Sequence, residues 1–407
     1  MAEMAEFINP KNILLIIDPQ NDFVDIPETY AKRLPPYKDT PFDQQSDSAG
    51  LPVPGAKDDL DKLAVFLEKN GDKFDEIHVS LDSHTKTHIG HIGFWEENPI
   101  EEGYVVPRPL QEFYVIDNDP EIYIGENRAI NIKTTGKIEE MPIPVGKVKT
   151  KVPELQEWAY KYIKKMQEDP NKPIPCLWAE HCIKGSDGWK VYEPLLIQLN
   201  KLPNKVFYHE KGTNDLVEMY SIFSAEEPYE KLLEDVSDDC KTKIAELYPN
   251  VTPVEGIPDK HDNTENEIDN YNTTFNDVLF SKLIGKNKNN KIFVCGEAKS
   301  HCVKTSLEDM LKNCDKFEFP KKNIYVFEDM TSLIPGYEIP TKAAYTNMIQ
   351  EGLRVIQSTD FETEKIQTGG KRRNKTSKKS KATKKSKKSK KSSKTTRKHR
   401  KTHKSKH

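Results

Sequence analysis

The stretch Asn12–Asp18, which reads NILLIID, decides the fold class predicted for this chain. A short, continuous apolar run that ends at a charged residue is typical of a strand buried on both faces of a parallel sheet. Similar runs recur along the chain. With the first run they predict a sheet of about six strands, the others being Ile77–Leu81, Ile174–Trp178, Lys205–Tyr208, Ile292–Cys295 and Ile324–Phe327.

Helical periodicity appears between these runs. The predicted helices are Ala56–Lys69, Gly188–Leu199, Val303–Asn313 and Thr341–Gly352. Strands that alternate with helices of this length predict βαβ units with right-handed crossovers. We therefore expect an α/β fold with a doubly wound parallel sheet and helices on both faces.

Three stretches interrupt this alternation and predict insertions at the surface of one domain, residues 1–366. They are residues 27–55, 99–153 and 226–272. Long loops inside a compact domain are often lids or binding loops, and partial disorder is the alternative. From about Gln367 the composition falls to Lys, Arg, Ser, Thr and His, which buries too little apolar area to offset chain entropy. Residues 367–407 are therefore predicted to be a disordered tail.

The net charge of -3 hides two very different parts. The 37 residues from Lys371 to His407 hold 20 of the 62 Lys and Arg residues and no acidic residue, so the rest of the chain carries about -23. The tail has no aromatic residue for base stacking, so contact with nucleic acid would be made through phosphates. A nuclear address and a solvated, phosphorylatable extension are the other interpretations. The tail also resembles those on many proteins of large DNA viruses.

The cellular setting is predicted from what the sequence lacks. No N-terminal run is typical of a secretory signal, and no apolar stretch approaches the roughly 20 residues of a membrane helix. The six cysteines include no CxxC pair, which favours free thiols in a reducing compartment. We expect a soluble, intracellular protein, cytoplasmic or nuclear, with no membrane contact.

Chemically active residues follow five of the predicted strands. In an open parallel sheet, ligands bind beyond the carboxyl ends of the strands, so residues at those ends are the first candidates for a site. A single acid or lysine there is usually only solvated, but five such ends together indicate a reaction centre. The candidates are Asp18, Asp82 with His84, His181, Lys211 and Cys302.

Cys302 is the predicted nucleophile. It lies between a predicted strand and a predicted helix, where the helix dipole and first-turn N–H groups favour a thiolate. Asp18 can accept the thiol proton and return it to a leaving amine, and Lys211 can hold the negative charge that they share. The alternatives are that Cys302 is a buried helix cysteine, Asp18 a turn residue and Lys211 an ordinary surface lysine. For Cys240 and Cys314 we expect the buried, structural role.

A metal site is predicted from Asp82, His84 and His181. Residues i and i+2 of an extended segment point to the same face, so Asp82 and His84 can reach one ion, with His181 arriving from the neighbouring strand. His88 is a further candidate. This donor set is typical of a catalytic site for zinc, with iron or manganese as alternatives. The alternative interpretation is that these histidines lie in surface loops, and it is the one we prefer for His91.

Taken together, the segments resemble the cysteine hydrolase superfamily that includes nicotinamidases, isochorismatase and related amidases. The matching segments are IIDPQNDF, SLDSHTKTH, LWAEHCIKGSDG, KGTNDLVEMYSIF and CGEAKSHCVKTSLED. The resemblance implies Asp18 as general base, Lys211 as its partner and Cys302 as nucleophile. It also implies a metal on Asp82, His84 and His181.

The resemblance further implies how the substrate is held. A cis peptide between Glu297 and Ala298 would help to form an oxyanion hole from the backbone N–H groups of Ala298 and Cys302. Aromatic lining would come from Phe23, Trp178 and Tyr220. The long insertions are most similar to those of larger members. Three residues depart from the common pattern and leave the pocket shape open: Ser83, Ala179 and His301.

The function that the resemblance implies is metal-assisted amide hydrolysis, with nicotinamide giving nicotinate and ammonia through a Cys302 thioester, as in NAD metabolism. The partner would be a small amide, and a homo-oligomer is left open. One alternative is an isochorismatase-type or other hydrolase acting on an enol ether or a different amide, although isochorismatase sites lack the metal trio. Another is an inactive scaffold that serves as a nucleic-acid- or virion-associated binding protein.

Overall fold

The computed structural model describes residues 9–25, 50–91, 94–97, 122–124, 130–132, 146–150, 153–168, 178–249 and 273–363. The tail from residue 367, most of the stretches 27–55 and 99–153, and residues 250–272 of the third stretch lie outside these residues, together with the predictions made for them. Within the described residues, no helix is long and apolar enough to cross a membrane.

The described strands are numbered in chain order. They are β1 Asn12–Ile17, β2 Glu76–Asp82, β3 Trp95–Glu97, β4 Ile122–Ile124, β5 Ile130–Ile132, β6 Gly146–Thr150, β7 Val206–Lys211, β8 Lys291–Gly296, β9 Ile324–Phe327 and β10 Arg354–Ile356. The described α-helices are α1 Ala56–Asn70, α2 Gln156–Glu168, α3 Glu193–Leu199, α4 Tyr229–Asp235, α5 Asp238–Leu247, α6 Asp277–Ile284, α7 Cys302–Asn313, α8 Glu338–Glu351 and α9 Asp360–Thr363.

Six strands form one parallel sheet in the order β10-β9-β8-β1-β2-β7. The chain moves outward from β1 through β2 to β7, then returns to the other side of β1 with β8. The strand order therefore reverses between β1 and β8, which is the position where open α/β sheets bind ligands. The predicted fold class is confirmed.

Helices cover both faces of this sheet, because alternate residues of each strand point to opposite sides. On one face Leu14 and Ile16 pack in a hydrophobic core with residues of α1, α3 and α9. On the other face Leu15 and Ile17 pack with residues of α6, α7 and α8. Both sides of β1 are therefore buried, which explains its unbroken apolar sequence.

A second hydrophobic core includes residues from the stretch 226–272, which the sequence predicted to be a surface insertion. Trp158 of α2, Tyr229 of α4 and Ile244 of α5 are fully or almost fully buried in one cluster. The first part of the stretch 226–272 therefore packs as two helices in a core instead of lying loose on the surface. Within the stretch 99–153, β4 pairs antiparallel with both β5 and β6, and β6 pairs antiparallel with β3.

Two element predictions need correction. The sixth strand of the sheet is β10, Arg354–Ile356, which the sequence did not reveal. Of the predicted strand Ile174–Trp178, only Trp178 lies within the described residues, and it makes a single bridge to His91. The helix expected from Gly188 begins only at Glu193, because residues 188–191 bond to the chain after β1.

Candidate active site

The predicted catalytic residues meet at the carboxyl edge of the sheet. Asp18 follows β1, Asp82 and Lys211 are the last residues of β2 and β7, and Cys302 is the first residue of α7, just after β8. These positions flank the point where the strand order reverses. All four side chains are buried.

Lys211 lies at the centre of the group. Its Nζ is 3.0 Å from Asp18 Oδ2, 3.0 Å from Asp82 Oδ1 and 3.6 Å from Cys302 Sγ, and it donates to the carbonyl of Met219 at 3.1 Å. The side chain is completely buried. One ammonium therefore holds two carboxylates and the thiol in a single buried cluster.

Asp18 is oriented by Ser80, a residue that the sequence analysis did not single out. The Ser80 hydroxyl donates to Asp18 Oδ1 at 2.6 Å, and the Asp18 N–H donates back to Ser80 Oγ at 2.9 Å. Ser80 precedes Asp82 by two residues on β2, so both point to the same face. The two-residue spacing from Asp82 could therefore have identified Ser80 from the sequence as a residue on the same face.

The proton of the resting site belongs on the thiol. Burial raises the pKa of Cys302 well above its usual range, and although Lys211 opposes this, Asp18 and Asp82 reinforce it. Burial also raises the pKa of Asp18 against the opposing charge of Lys211. The thiolate expected from the helix start is therefore not the resting form. Asp18, with its raised pKa, is the adjacent base.

Three histidines beside this cluster are held in one tautomer by backbone carbonyls. The Nδ1 atoms of His84, His181 and His91 lie 2.9, 2.8 and 3.2 Å from carbonyl oxygens of Gly212, Ala179 and Thr85. A carbonyl oxygen only accepts, so each Nδ1 carries a hydrogen and Nε2 is the ring nitrogen available as a metal ligand. Fixing the outer nitrogen in this way is common for metal-binding histidines.

The three Nε2 atoms converge with Asp82. Asp82 Oδ2 is 3.0 Å from His84 Nε2 and 3.6 Å from His181 Nε2. His91 Nε2 is buried and has no hydrogen-bond partner among the described residues. The three imidazoles offer ligand atoms that all lie within 4.8 Å of one another. Facing lone pairs and a carboxylate fit a divalent cation with nitrogen and oxygen ligands.

His91 fits this set better than the predicted candidate His88. His88 Nε2 is bonded to the Val217 carbonyl at 3.0 Å, and its Nδ1 accepts the Gly90 N–H at 3.1 Å, so both ring nitrogens are already used. His84, His88 and the buried Glu218 also form a group with metal-ligand spacing, although His84 Nδ1 and both ring nitrogens of His88 are bonded to backbone groups. The alternative that these histidines lie at the surface is wrong, because His84, His91 and His181 are all buried.

His181 reaches the site by a different route from the one predicted. It lies on a segment that pairs with the loop after β2 through single bridges, His84 with Ile183 and His91 with Trp178. The His84 N–H donates to the Cys182 carbonyl at 3.0 Å. Pairing between two loops, and not a strand of the central sheet, therefore places His181 beside His84.

The turn between β8 and α7 has the features expected of an oxyanion hole. The peptide between Glu297 and Ala298 is cis, as the resemblance implied. Among the described residues, the backbone N–H groups of Ala298 and Cys302 donate no hydrogen bond, while their neighbours Lys299 and His301 both do. Two free N–H groups next to a thiol can receive a developing negative charge.

A small cavity of about 270 Å³, including its open mouth, lies above the thiol. The predicted aromatic residues Phe23, Trp178 and Tyr220 all line it, and Trp178 Nε1 donates to the Tyr220 hydroxyl at 2.9 Å. His301 also lines the cavity, and burial lowers its pKa to about 3, so its ring is neutral.

No protein-family model matches the chain, and a comparison with curated proteins finds no match. Among solved structures, the chain is similar to a nicotinamidase/pyrazinamidase from Acinetobacter baumannii, at 16% identity and TM-score 0.40 over 86% of this chain and 98% of that one. It is similar to the yeast nicotinamidase at 13% identity and TM-score 0.42, over 85% and 99%. It is also similar to a Pyrococcus horikoshii pyrazinamidase in complex with zinc, at 14% identity and TM-score 0.36, over 86% and 99%.

Proposed function

We propose that the chain is a metal-assisted cysteine amidohydrolase that converts a small carboxamide, such as nicotinamide, to the acid and ammonia. The observation that carries the proposal is the buried cluster in which Lys211 Nζ contacts Asp18, Asp82 and Cys302 within 3.6 Å. Such a cluster costs folding free energy and has no evident structural use beyond chemistry.

Acylation begins with proton transfer from the Cys302 thiol to Asp18 as the sulfur attacks the carboxamide carbon. A carbon–sulfur bond forms and the carbonyl electron pair moves onto oxygen. The N–H groups of Ala298 and Cys302 donate to that oxyanion. Asp18 then gives its proton to the amide nitrogen, the carbon–nitrogen bond breaks and ammonia leaves a thioester on Cys302.

Deacylation reverses these roles. Asp18 accepts a proton from the attacking water, the carbon–sulfur bond breaks, and Cys302 leaves as a thiolate that recovers its proton from Asp18. The acid product is then released. Lys211 stays charged throughout, because its carboxylate neighbours raise its pKa well above the usual range despite its burial.

Asp82, His84, His91 and His181 would hold the metal. Zinc is the first choice for a set of three imidazoles and one carboxylate, with iron or manganese as alternatives. When bound, such an ion supplies Lewis acidity beside the substrate cavity. The His181 ring also packs edge-on against Phe23, with centroids 5.4 Å apart, so the proposed metal site adjoins the substrate cavity.

The test is release of ammonia from nicotinamide and a panel of other small amides by the metal-loaded protein. Cys302→Ala should lose activity by roughly 10⁴-fold. Cys314→Ala is the matched control, because Cys314 is also buried, at the other end of the same helix, and its loss should leave kcat near that of the parent. If the intact protein turned over no amide, the proposal would fail. Activity that survived in Cys302→Ala would overturn the mechanism.

A further inference from the structure

A buried carboxyl group lies directly behind the oxyanion turn. Glu297 follows β8, is fully buried, and donates its backbone N–H to the Ile17 carbonyl at 2.8 Å. Its Oε2 accepts the N–H of Ser332 at 3.2 Å. None of the reaction steps above uses this side chain, although its neighbour in sequence supplies an oxyanion donor.

Glu297 does not stand alone. Ser332 binds both its carboxyl group and that of Asp59, from α1, and Glu297 Oε1 is buried with no hydrogen-bond partner among the described residues. The two carboxyl groups are close enough to interact. Two carboxyl groups bond to each other only when they share a proton. Burial and the charge of Asp59 also raise the pKa of Glu297 well above its usual range.

Ser332 ties the pair to the turn. Its hydroxyl donates to Asp59 Oδ2, its N–H donates to Glu297, and its carbonyl accepts the Lys299 N–H at 2.8 Å. Two residues later, the N–H of Ile334 donates to Ser300 Oγ at 3.1 Å. The turn that presents the Ala298 and Cys302 N–H groups is thus bonded to residues 332–334 at three positions, Glu297, Lys299 and Ser300.

We propose that Glu297 is a positioning residue for the oxyanion hole, where it acts as a neutral acid that shares one proton with Asp59 and anchors the turn to Ser332. This inference rests on the proposed function. A neutral acid keeps the turn fixed without placing a negative charge next to a developing oxyanion, whereas a carboxylate there would oppose it. The ionisable groups around the pair are Asp25 near Glu297, and Lys62, Asp58 and Asp329 near Asp59.

The decisive experiment compares Glu297→Gln with Glu297→Ala in the full-length protein. The amide of Gln can accept from Ser332 and donate to Asp59, so Glu297→Gln should keep kcat within about threefold. Glu297→Ala should lower kcat by about tenfold or more, with KM nearly unchanged, because the lost contacts matter most when the oxyanion forms.

Two further measurements separate positioning from a merely structural role. Alkylation of Cys302 by iodoacetamide forms no oxyanion, so its rate should be the same in both variants and the parent. In the parent, ionisation of Glu297 at alkaline pH should lower kcat, and Glu297→Gln should lack that decline. Loss of kcat in Glu297→Gln equal to that in Glu297→Ala, or a parallel loss of alkylation, would overturn the proposal.

The failure of the proposed function would look different. If no amide were hydrolysed, the proton shared by Glu297 and Asp59 could still be tested by measuring the free energy of unfolding as a function of pH. A carboxyl whose folded pKa is raised stabilises the fold below its unfolded pKa of about 4.3 and loses that contribution as pH rises. Glu297→Gln should therefore gain stability relative to the parent from pH 5 to pH 9. An unchanged difference across that range would refute the shared proton.

Discussion

Replacement of Lys211 by Met tests the electrostatics of the site most directly. The substitution keeps an unbranched side chain of similar length and removes the ammonium that lies 3.0 Å from both Asp18 and Asp82. Two carboxylates then face each other in a fully buried cluster. Removing one partner of a buried ion pair costs about 3–5 kcal/mol, because the remaining charge is uncompensated.

Proton uptake sets an upper limit on this loss. Protonating an aspartate of ordinary pKa, near 3.9, costs about 4 kcal/mol at pH 7 and about 1.5 kcal/mol at pH 5. We therefore expect Lys211→Met to lower the free energy of unfolding by about 3–4 kcal/mol at pH 7 and by less than half of that at pH 5. The loss is larger at pH 7 because, in the Lys211→Met variant, the folded-state pKa of one of the two aspartates is raised. The variant therefore loses stability, relative to the parent, as the pH rises above the unfolded-state pKa.

Urea unfolding of parent and variant at pH 5 and pH 7 measures this difference. The double variant with Asp18→Asn should recover most of the loss at pH 7, since one uncompensated charge is gone. Lys165→Met is the matched control, because its ion pair with Asp235 at 2.8 Å is exposed and should contribute little at either pH. A loss below about 1 kcal/mol at pH 7, or equal losses at both pH values, would refute the reasoning.

Three other predictions concern the metal, the second core and the tail. His91→Ala should lower zinc affinity at least tenfold, as measured by competition with a chelator, because its Nε2 has no other partner among the described residues; unchanged affinity would exclude it as a ligand. Trp158→Phe removes the buried hydrogen bond of 2.8 Å from the indole N–H to the Leu216 carbonyl, and thermal unfolding should show a loss of about 1–3 kcal/mol of stability. An unchanged stability would contradict the idea that the second core supports the segment around Leu216. Deletion of residues 371–407 should leave amide turnover intact and abolish binding to heparin or duplex DNA that weakens steeply between 50 and 200 mM salt; retained binding would contradict the assignment of that contact to the tail.

The elements of the central sheet differ in how clearly the sequence reveals them. The run of β1 is unambiguous because both of its faces are buried, so it contains no alternation that a helix could imitate. β10 has only three residues, Arg354–Ile356, and its first residue is exposed, so its sequence carries almost no pattern. Of the run Ile174–Trp178 only Trp178 lies within the described residues, so the strand predicted there stays a prediction.

The candidate site shows the same division. Asp18, Lys211 and Cys302 each follow a predicted strand, so the rule that ligands bind at the carboxyl edge of a parallel sheet brings them together without any structure. Ser80 and His91 lack such a position rule. Ser80 acts through one hydroxyl on Asp18, and His91 became a candidate ligand only when its Nδ1 bond to Thr85 left Nε2 facing the cluster.

Local sequence thus determined the fold class and the residues proposed for the candidate site, because strand burial and chain order are encoded in apolar runs and in the residue that ends each run. The tertiary structure alone decided the raised pKa of Cys302, the choice of His91 over His88, and the packing of two helices from the predicted insertion 226–272 into a second core. These properties depend on distances between segments remote in sequence. Burial, tautomers and shared protons are set by neighbours that no local pattern can specify.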